Sequence, residues 1–388
     1  MFFRKPRKGS LILIVDVQSS IIRGSLIRFL PHLEPLVIFT YTKNLPYKPS
    51  SDNSRLIELT VEATSEIMTA VYQYLHSTTS DEELPKDLDG IHYALSSPWI
   101  ISEAKTVTIN FNQPTTITKK LVLDTITNER KVMVPKTNIS DDRISIIEEK
   151  IFNVKINGYH ISSWQGRKAS RLDVSFATSI CSINTADLFK DICKFIEKDK
   201  IHFHSSILLQ HIGIQYVLPK KDSYILVHVH GEHTDTTIVY NHNCVFFGSF
   251  AVGIYTLVRK IAHVSKTNFQ VSDSALSIDP GEKTSQTKKD KMTEAVEAGQ
   301  NLWIDAYKSH MDSPGARSVP SPSHAIILSH AHEKFMIRTL NKTYPKLQAA
   351  SLPIENVQTK IKYGRLAEHV RLTGLYAIAI NNILEHNI

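Results

Sequence analysis

Apolar residues recur along the chain with two spacings, and the switches between them mark its units. Leu11–Val15 is a short apolar run ending in Asp16, Gln18, Ser19 and Ser20, the pattern of a buried strand feeding a polar turn. Leu36–Tyr41 reads as a further strand of that unit. From Asn53 the spacing becomes three and four, through Leu56, Leu59, Ala63, Ile67, Val71 and Tyr74. That predicts an amphipathic helix opened by Asn53 or Ser54. Strand, helix and strand in succession are α/β patterning.

A second block runs from about Ile91 to Ser182. Ile91–Leu95 and Val107–Phe111 are strand-like, with a turn near Ser97 and Pro98. Ser140 is positioned to cap a helix with Ile144, Ile147 and Ile151 on its face. Leu172, Val174, Phe176 and Thr178 alternate with smaller or polar residues as a half-buried strand does. Asn184 then opens a helix carrying Leu188, Ile192, Phe195 and Ile196. The third block opens with Ile225, Val227 and Val229, turns at Gly231, and continues as strands Thr236–Tyr240 and Cys244–Phe250. A helix with Leu257, Val258 and Ile261 begins after Gly253. Residues 272–294 are polar, rich in Ser, Lys and Thr, and predict a flexible loop. Thr293–Tyr307 is helical, Ser313–Ser323 a Pro/Ser linker, Ala325–Leu328 a buried strand, and about Leu366–Leu384 the last helix. The first and third blocks share one order: strand, polar turn, strand, strand, helix.

Composition narrows the possibilities. A chain of 388 residues suggests about two to three domains. Histidines (18) outnumber glycines (14), so backbone able to approach phosphate closely is scarce. The net charge of +7 is mild for this length. Basic residues cluster only at Arg4, Lys5, Arg7 and Lys8 and at Lys288, Lys289 and Lys291, without interleaved aromatics, so no nucleic-acid partner is expected. Three cysteines without a CxxC pair fit a reducing compartment, with Cys181 and Cys193 read as inert thiols. The apolar run before Asp16 is too short for a signal peptide, and no stretch approaches a membrane span.

Three segments carry a family resemblance. LILIVDVQSSIIRGSLI resembles the first phosphate-binding hairpin of the actin-like ATPases, and ILVHVHGEHTDTTIVYNHNCVFFGSFAVG the second. HAIILSHAHEKFM stands where those proteins place an adenosine-contacting strand. IHYALSSPWIISEAKTV and VKINGYHISSWQGRKASRLDVSFATSI resemble the inserted SHS2-like subdomain of the FtsA and PilM family. The resemblance implies an α/β, two-lobed actin-like fold. Residues 9–87 would form the N-terminal part of the first lobe, 88–182 the inserted subdomain and 183–220 the return to the first lobe. Residues 221–350 would form the second lobe, with its flexible loop near 272–294, and 351–388 would pack back on the lobes. It further implies a cytoplasmic protein, peripheral on the inner membrane, that binds a cytoplasmic segment of a membrane protein and can self-associate. FtsA-like chains carry a C-terminal amphipathic tail, which this sequence does not show after its final helix; that favours the PilM-like branch. The basic arm with Phe2 and Phe3 could act as a weak anchor.

Departures from the family pattern decide the expected chemistry. Gln18 replaces the first hairpin's glycine, although Asp16, Ser19 and Ser20 remain. His228 replaces the acid that helps hold the metal–water shell, and His230, Gly231 and Glu232 stand where three glycines belong. Glu232 would set a carboxylate against phosphate. Thr234, Asp235 and Ser329 fit, but His330, Ala331 and His332 fill the adenosine turn. Any retained Mg·ATP would touch Asp16, Ser19, Ser20, Gly231, Thr234, Asp235 and Ser329; binding and ATPase activity are expected to be weak or lost, and no residue is assigned a catalytic role. A rival reading takes His228, His230, Glu232 and His233 as a zinc-hydrolase motif resembling HxHxDH, with Asp235, His242, His330 and His332 as further ligands. His202 and His204 are read as surface or capping residues, and Trp99 as either an exposed recognition aromatic or core. Ser102–Asp124 has the composition of an edge strand open to a partner peptide.

Overall fold

The computed structural model describes residues 9–46, 53–77, 87–133, 143–161, 163–278, 286–366 and 371–386. The basic N-terminal arm, Ser140 and the side chains of Lys288 and Lys289 lie outside them. Strand β1 (Ser10–Val17) turns back as β2 (Ile21–Phe29) and again as β3 (Leu36–Asn44). Helix α1 (Asn53–Ser77) follows, and β4 (Gly90–Leu95) then pairs parallel with β1. β5 (Ile101–Thr116), α2 (Lys119–Met133), β6 (Ile144–Ile156), β7 (Tyr159–His160) and β8 (Lys168–Ser182) make a separate sheet ordered β5-β8-β6-β7. The chain returns through α3 (Ile183–Ile192) to β9 (Ile201–Ser205), parallel to β4, and to α4 (Ser206–Val217).

A second copy of the pattern begins at β10 (Tyr224–Val229), with β11 (Thr234–Tyr240), β12 (Asn243–Phe250), α5 (Ile254–Ser265), α6 (Phe269–Ser277), α7 (Gln286–Met311), α8 (Pro314–Arg317), β13 (His324–Ser329), α9 (Glu333–Thr343) and β14 (Gln348–Ser351). The order β12-β11-β10-β13-β14 matches β3-β2-β1-β4-β9: antiparallel neighbours on one side of the central strand, parallel ones on the other. After α10 (Ile354–Gln358), β15 (Lys362–Leu366) joins the first sheet parallel to β3, and α11 (Arg371–His386) closes the described chain.

The core explains the doubled run of apolar residues in β1. Leu11, Leu13 and Val15 pack on α1 with Ala63 and Ile67. Ile12 and Ile14 face the other way, into one cluster with Leu226 of β10, Leu328 of β13, Leu208, Leu209 and Ile212 of α4, and Leu375 and Ile380 of α11. Helices α4 and α11 therefore join the two sheets, and α4 is buried nearly all round, as a helix covered on both sides requires. A Cβ on Gly213 would stand 2.6 Å from the Leu375 carbonyl oxygen, so glycine sets how closely these helices approach.

Several expected elements differ. Ile144, Ile147 and Ile151 lie on strand β6, not on a helix. Register shifts at Ile146/Glu148 and Ile151/Asn153 interrupt its two-residue alternation and leave a spacing that imitates a helix. The expected loop at 272–294 contains the end of α6 and the start of α7; Asn268 caps α6 by accepting from the Val271 N–H, and Ala275 and Leu276 are buried. The helix expected from Leu366 begins at Arg371, after a strand. The stretch 102–124 is an edge strand only through Thr116, with α2 beyond it. Trp99 is core, edge-on to Phe189. His202 is exposed on β9, but the ring of His204 stacks on His92, whose Nδ1 lies 2.9 Å from His204 Nε2. Among the described residues no helix is long and apolar enough to cross a membrane.

Candidate functional site

The β1–β2 and β10–β11 hairpins point their tips at each other. Sequence reasoning chose Asp16, Ser19, Ser20, Gly231, Thr234 and Asp235, and the structure brings them to one buried seam, none more than 9% exposed among the polar ones. Ser329, at the end of β13, aligns beside Val229; its hydroxyl donates to the Ala331 carbonyl at 2.6 Å, with the Val229 carbonyl 3.1 Å away.

The tips bond directly. The Glu232 N–H donates to Ser19 Oγ at 2.9 Å, and His230 Nδ1 lies 3.2 Å from Gln18 Oε1. Around them, the Ser97 N–H reaches Asp235 Oδ2 at 3.4 Å and the Tyr255 hydroxyl donates to the Leu45 carbonyl at 3.1 Å. A Cβ on Gly231 would stand 2.7 Å from Ser20 Cβ and 3.1 Å from the Tyr255 ring. The one surviving hairpin glycine thus allows hairpin to meet hairpin.

Charge is balanced within the seam. Asp16 Oδ2 accepts from Gln18 Nε2 at 2.8 Å and from Arg23 Nη1 at 3.2 Å; Arg23 is the cross-strand partner of Asp16. Burial raises the Asp16 pKa despite the opposing pull of Arg23 and Gln18. In the second hairpin Asp235 sits opposite His228 and bonds His230 Nε2 at 2.8 Å. Burial would raise the Asp235 pKa, yet His230 and the Ser97 N–H outweigh it and hold the carboxyl below its usual range. His228 Nδ1 accepts from Gln210 Nε2 at 2.8 Å; burial, with His230 and Arg23 nearby, drives its pKa far down. The repulsion expected of Glu232 is absent, because Arg259 of α5 clasps both its oxygens. At the turn after β13 His332 adopts φ +57°, bonds Asp273 Oδ1 at 2.8 Å and lies 3.2 Å from Ser277 Oγ, tying the turn to α6.

A triphosphate between these hairpins would have to break the Ser19–Glu232 and Gln18–His230 bonds and separate carboxylates from their own cations, so the residues do not fit it in this arrangement. The zinc ligands do not assemble either. Among the described residues no group of three His, Cys, Asp or Glu side chains is placed to hold a metal ion. His230 has both ring nitrogens engaged and His332 is bound to α6.

Sequence reasoning missed Arg23, Arg259, Gln210 and Tyr376. Arg23 was signalled as a lone charge inside the apolar run IIRGSLI, seven residues after Asp16. Gln210, likewise inside an apolar run, donates to the Tyr376 hydroxyl at 3.2 Å and joins α4 to α11.

Two sheets of one topology with paired hairpins at their facing ends match a solved structure along nearly their whole length. A PilM–PilN type IV pilus biogenesis complex superposes with TM-score 0.63 at 9% identity, covering 96% of this chain and 98% of that one. The fold is actin-like. Weaker likenesses of this actin-like chain include a diol dehydratase-reactivating factor (TM-score 0.46, 8% identity, 97% and 99% covered) and the ethanolamine utilization protein EutJ of Carboxydothermus hydrogenoformans (0.44, 7%, 97% and 91%). No protein-family model and no curated protein matches the sequence.

Proposed function

We propose that this protein is a PilM-like actin-fold scaffold that works without nucleotide turnover and binds a cytoplasmic segment of a membrane protein at the inner face of the membrane. The observation carrying it is the direct bonding of the two hairpin tips across the seam where an actin-like ATPase would hold phosphate. The likeness to a PilM–PilN complex supports a pilus-assembly partner over a division partner.

The partner segment has a suitable slot. A cavity of about 400 Å³ lies between β6 and β9, lined by Ile146, Glu148, Lys150, His202, Leu208 and Ile383 among others. Among the described residues β9 is the end strand of its sheet, and β6 pairs beyond β8 only at Lys155 and Ile156, with β7. Two open strand edges facing one cavity suit an extended peptide, whose backbone they would hydrogen-bond. The test is binding of a fluorescent peptide from the cytoplasmic segment of a PilN-like protein. Ile146 is 45% exposed, so Ile146→Arg should leave the fold intact and weaken binding at least about tenfold. Unchanged affinity would move the partner elsewhere.

A further inference from the structure

Gln18 commits its amide N–H to Asp16, so its carbonyl oxygen faces His230 Nδ1, and that nitrogen must donate. His230 Nε2 faces Asp235, which accepts. His228 Nδ1 accepts from Gln210 Nε2. The seam therefore sets the Arg23 guanidinium and the His230 ring against two carboxyl groups, Asp16 and Asp235, all at most 3% exposed.

We propose that Arg23 is a built-in counter-ion, with the His230 ring bridging to Asp235 beside it, standing in for the divalent cation that the fold implies at these carboxyl groups. A buried carboxylate is tolerated only when paired and hydrogen-bonded, and in a nucleotide-dependent protein a dissociable metal with its phosphates meets that need. Here the cation is covalently part of the chain, so the lobes close on folding and do not open by losing a ligand. Arg23 reaches the seam from β2, where its Nε also donates to Thr42 Oγ1 at 3.2 Å and holds the guanidinium in place. Among the described residues Asp16 Oδ1 and Asp235 Oδ1 have no hydrogen-bond partner, so removing Arg23 would leave oxygens free to meet a hard cation. This exchange of cations is independent of which partner the slot between β6 and β9 receives.

Thermal melting in EDTA and in millimolar Mg²⁺ tests it on wild type, Asp16→Asn, Arg23→Met and the double variant. Wild type should melt identically in both. Each single variant should melt several degrees lower, and the double variant should regain most of the loss, with a coupling of at least about tenfold in the folding constant. Arg23→Met should gain a melting shift with Mg²⁺. Should Arg23→Met fail to fold, a folded double variant supports the pairing and an unfolded one, with Asp16→Asn folded, refutes it. A Mg²⁺-stabilised wild type, additive single effects or an Arg23→Met variant deaf to Mg²⁺ would each overturn the proposal.

Discussion

Gly231 and Glu148 show how single residues set this molecule's behaviour. Gly231→Ala should cost about 1–3 kcal/mol in urea unfolding, because its Cβ would meet Ser20 Cβ at 2.7 Å. Adding Ser20→Gly removes that collision and should recover part of the loss; no recovery would mean the glycine serves another purpose. Glu148 accepts from the Ser205 N–H at 3.1 Å and from the Ser205 and Ser179 hydroxyls, joining β6 to the start of α4. Burial nevertheless pushes its pKa up to about 7 from 4.5. Its folded pKa lies above the unfolded value, so its contribution is complete below pH 4.5 and is lost as pH rises through 7. Glu148→Gln should therefore flatten the fall in stability between pH 5 and 8 by about 1–3 kcal/mol, read from urea midpoints.

At the scale of elements, α4 is the joint between the lobes. Its Leu209 is fully buried among residues of both sheets' shared core, so Leu209→Ala should cost about 2–5 kcal/mol. A small loss in urea unfolding would show that the joint tolerates a void and that the lobes are not coupled through it. How legible these elements are in the sequence depends on how regular each one is. β1, β10 and β13 are plain apolar runs with both faces covered, and α5 follows Gly253 as its spacing predicts. β6 is hidden by its two bulges, and α7 by a polar first half that resembles a loop until Trp303 and Tyr307 are seen buried. The site was legible where one position matches the family pattern, as at Asp16 and Asp235. Its filling was not, since Arg259 pairs with Glu232 from 27 residues away and Tyr376 reaches Gln210 across 166.

Across the whole molecule the many histidines become an acid sensitivity. Burial lowers the pKa of His92 to about 2, His211 to about 3, and His204 and His310 to about 4, and holds His228 well below its usual value. Each folded pKa lies below 6.5, so the unfolded chain binds more protons and stability falls as pH drops below 6.5. Each histidine contributes a slope of up to about 1.4 kcal/mol per pH unit. Glu148 and Asp16, both raised, oppose this with gains on acidification, but His202, His233 and Asp235, all lowered, add to the loss. Urea midpoints should drop steeply between pH 6.5 and 4.5, with uptake of several protons per unfolding event; a flat profile would mean these rings are hydrated. The closed seam itself is tested most directly by calorimetric titration with Mg·ATP. Bonding between the Ser19 and Glu232 tips predicts no saturable heat up to millimolar nucleotide, whereas a stoichiometric site of micromolar affinity would show that the hairpins part to admit phosphate.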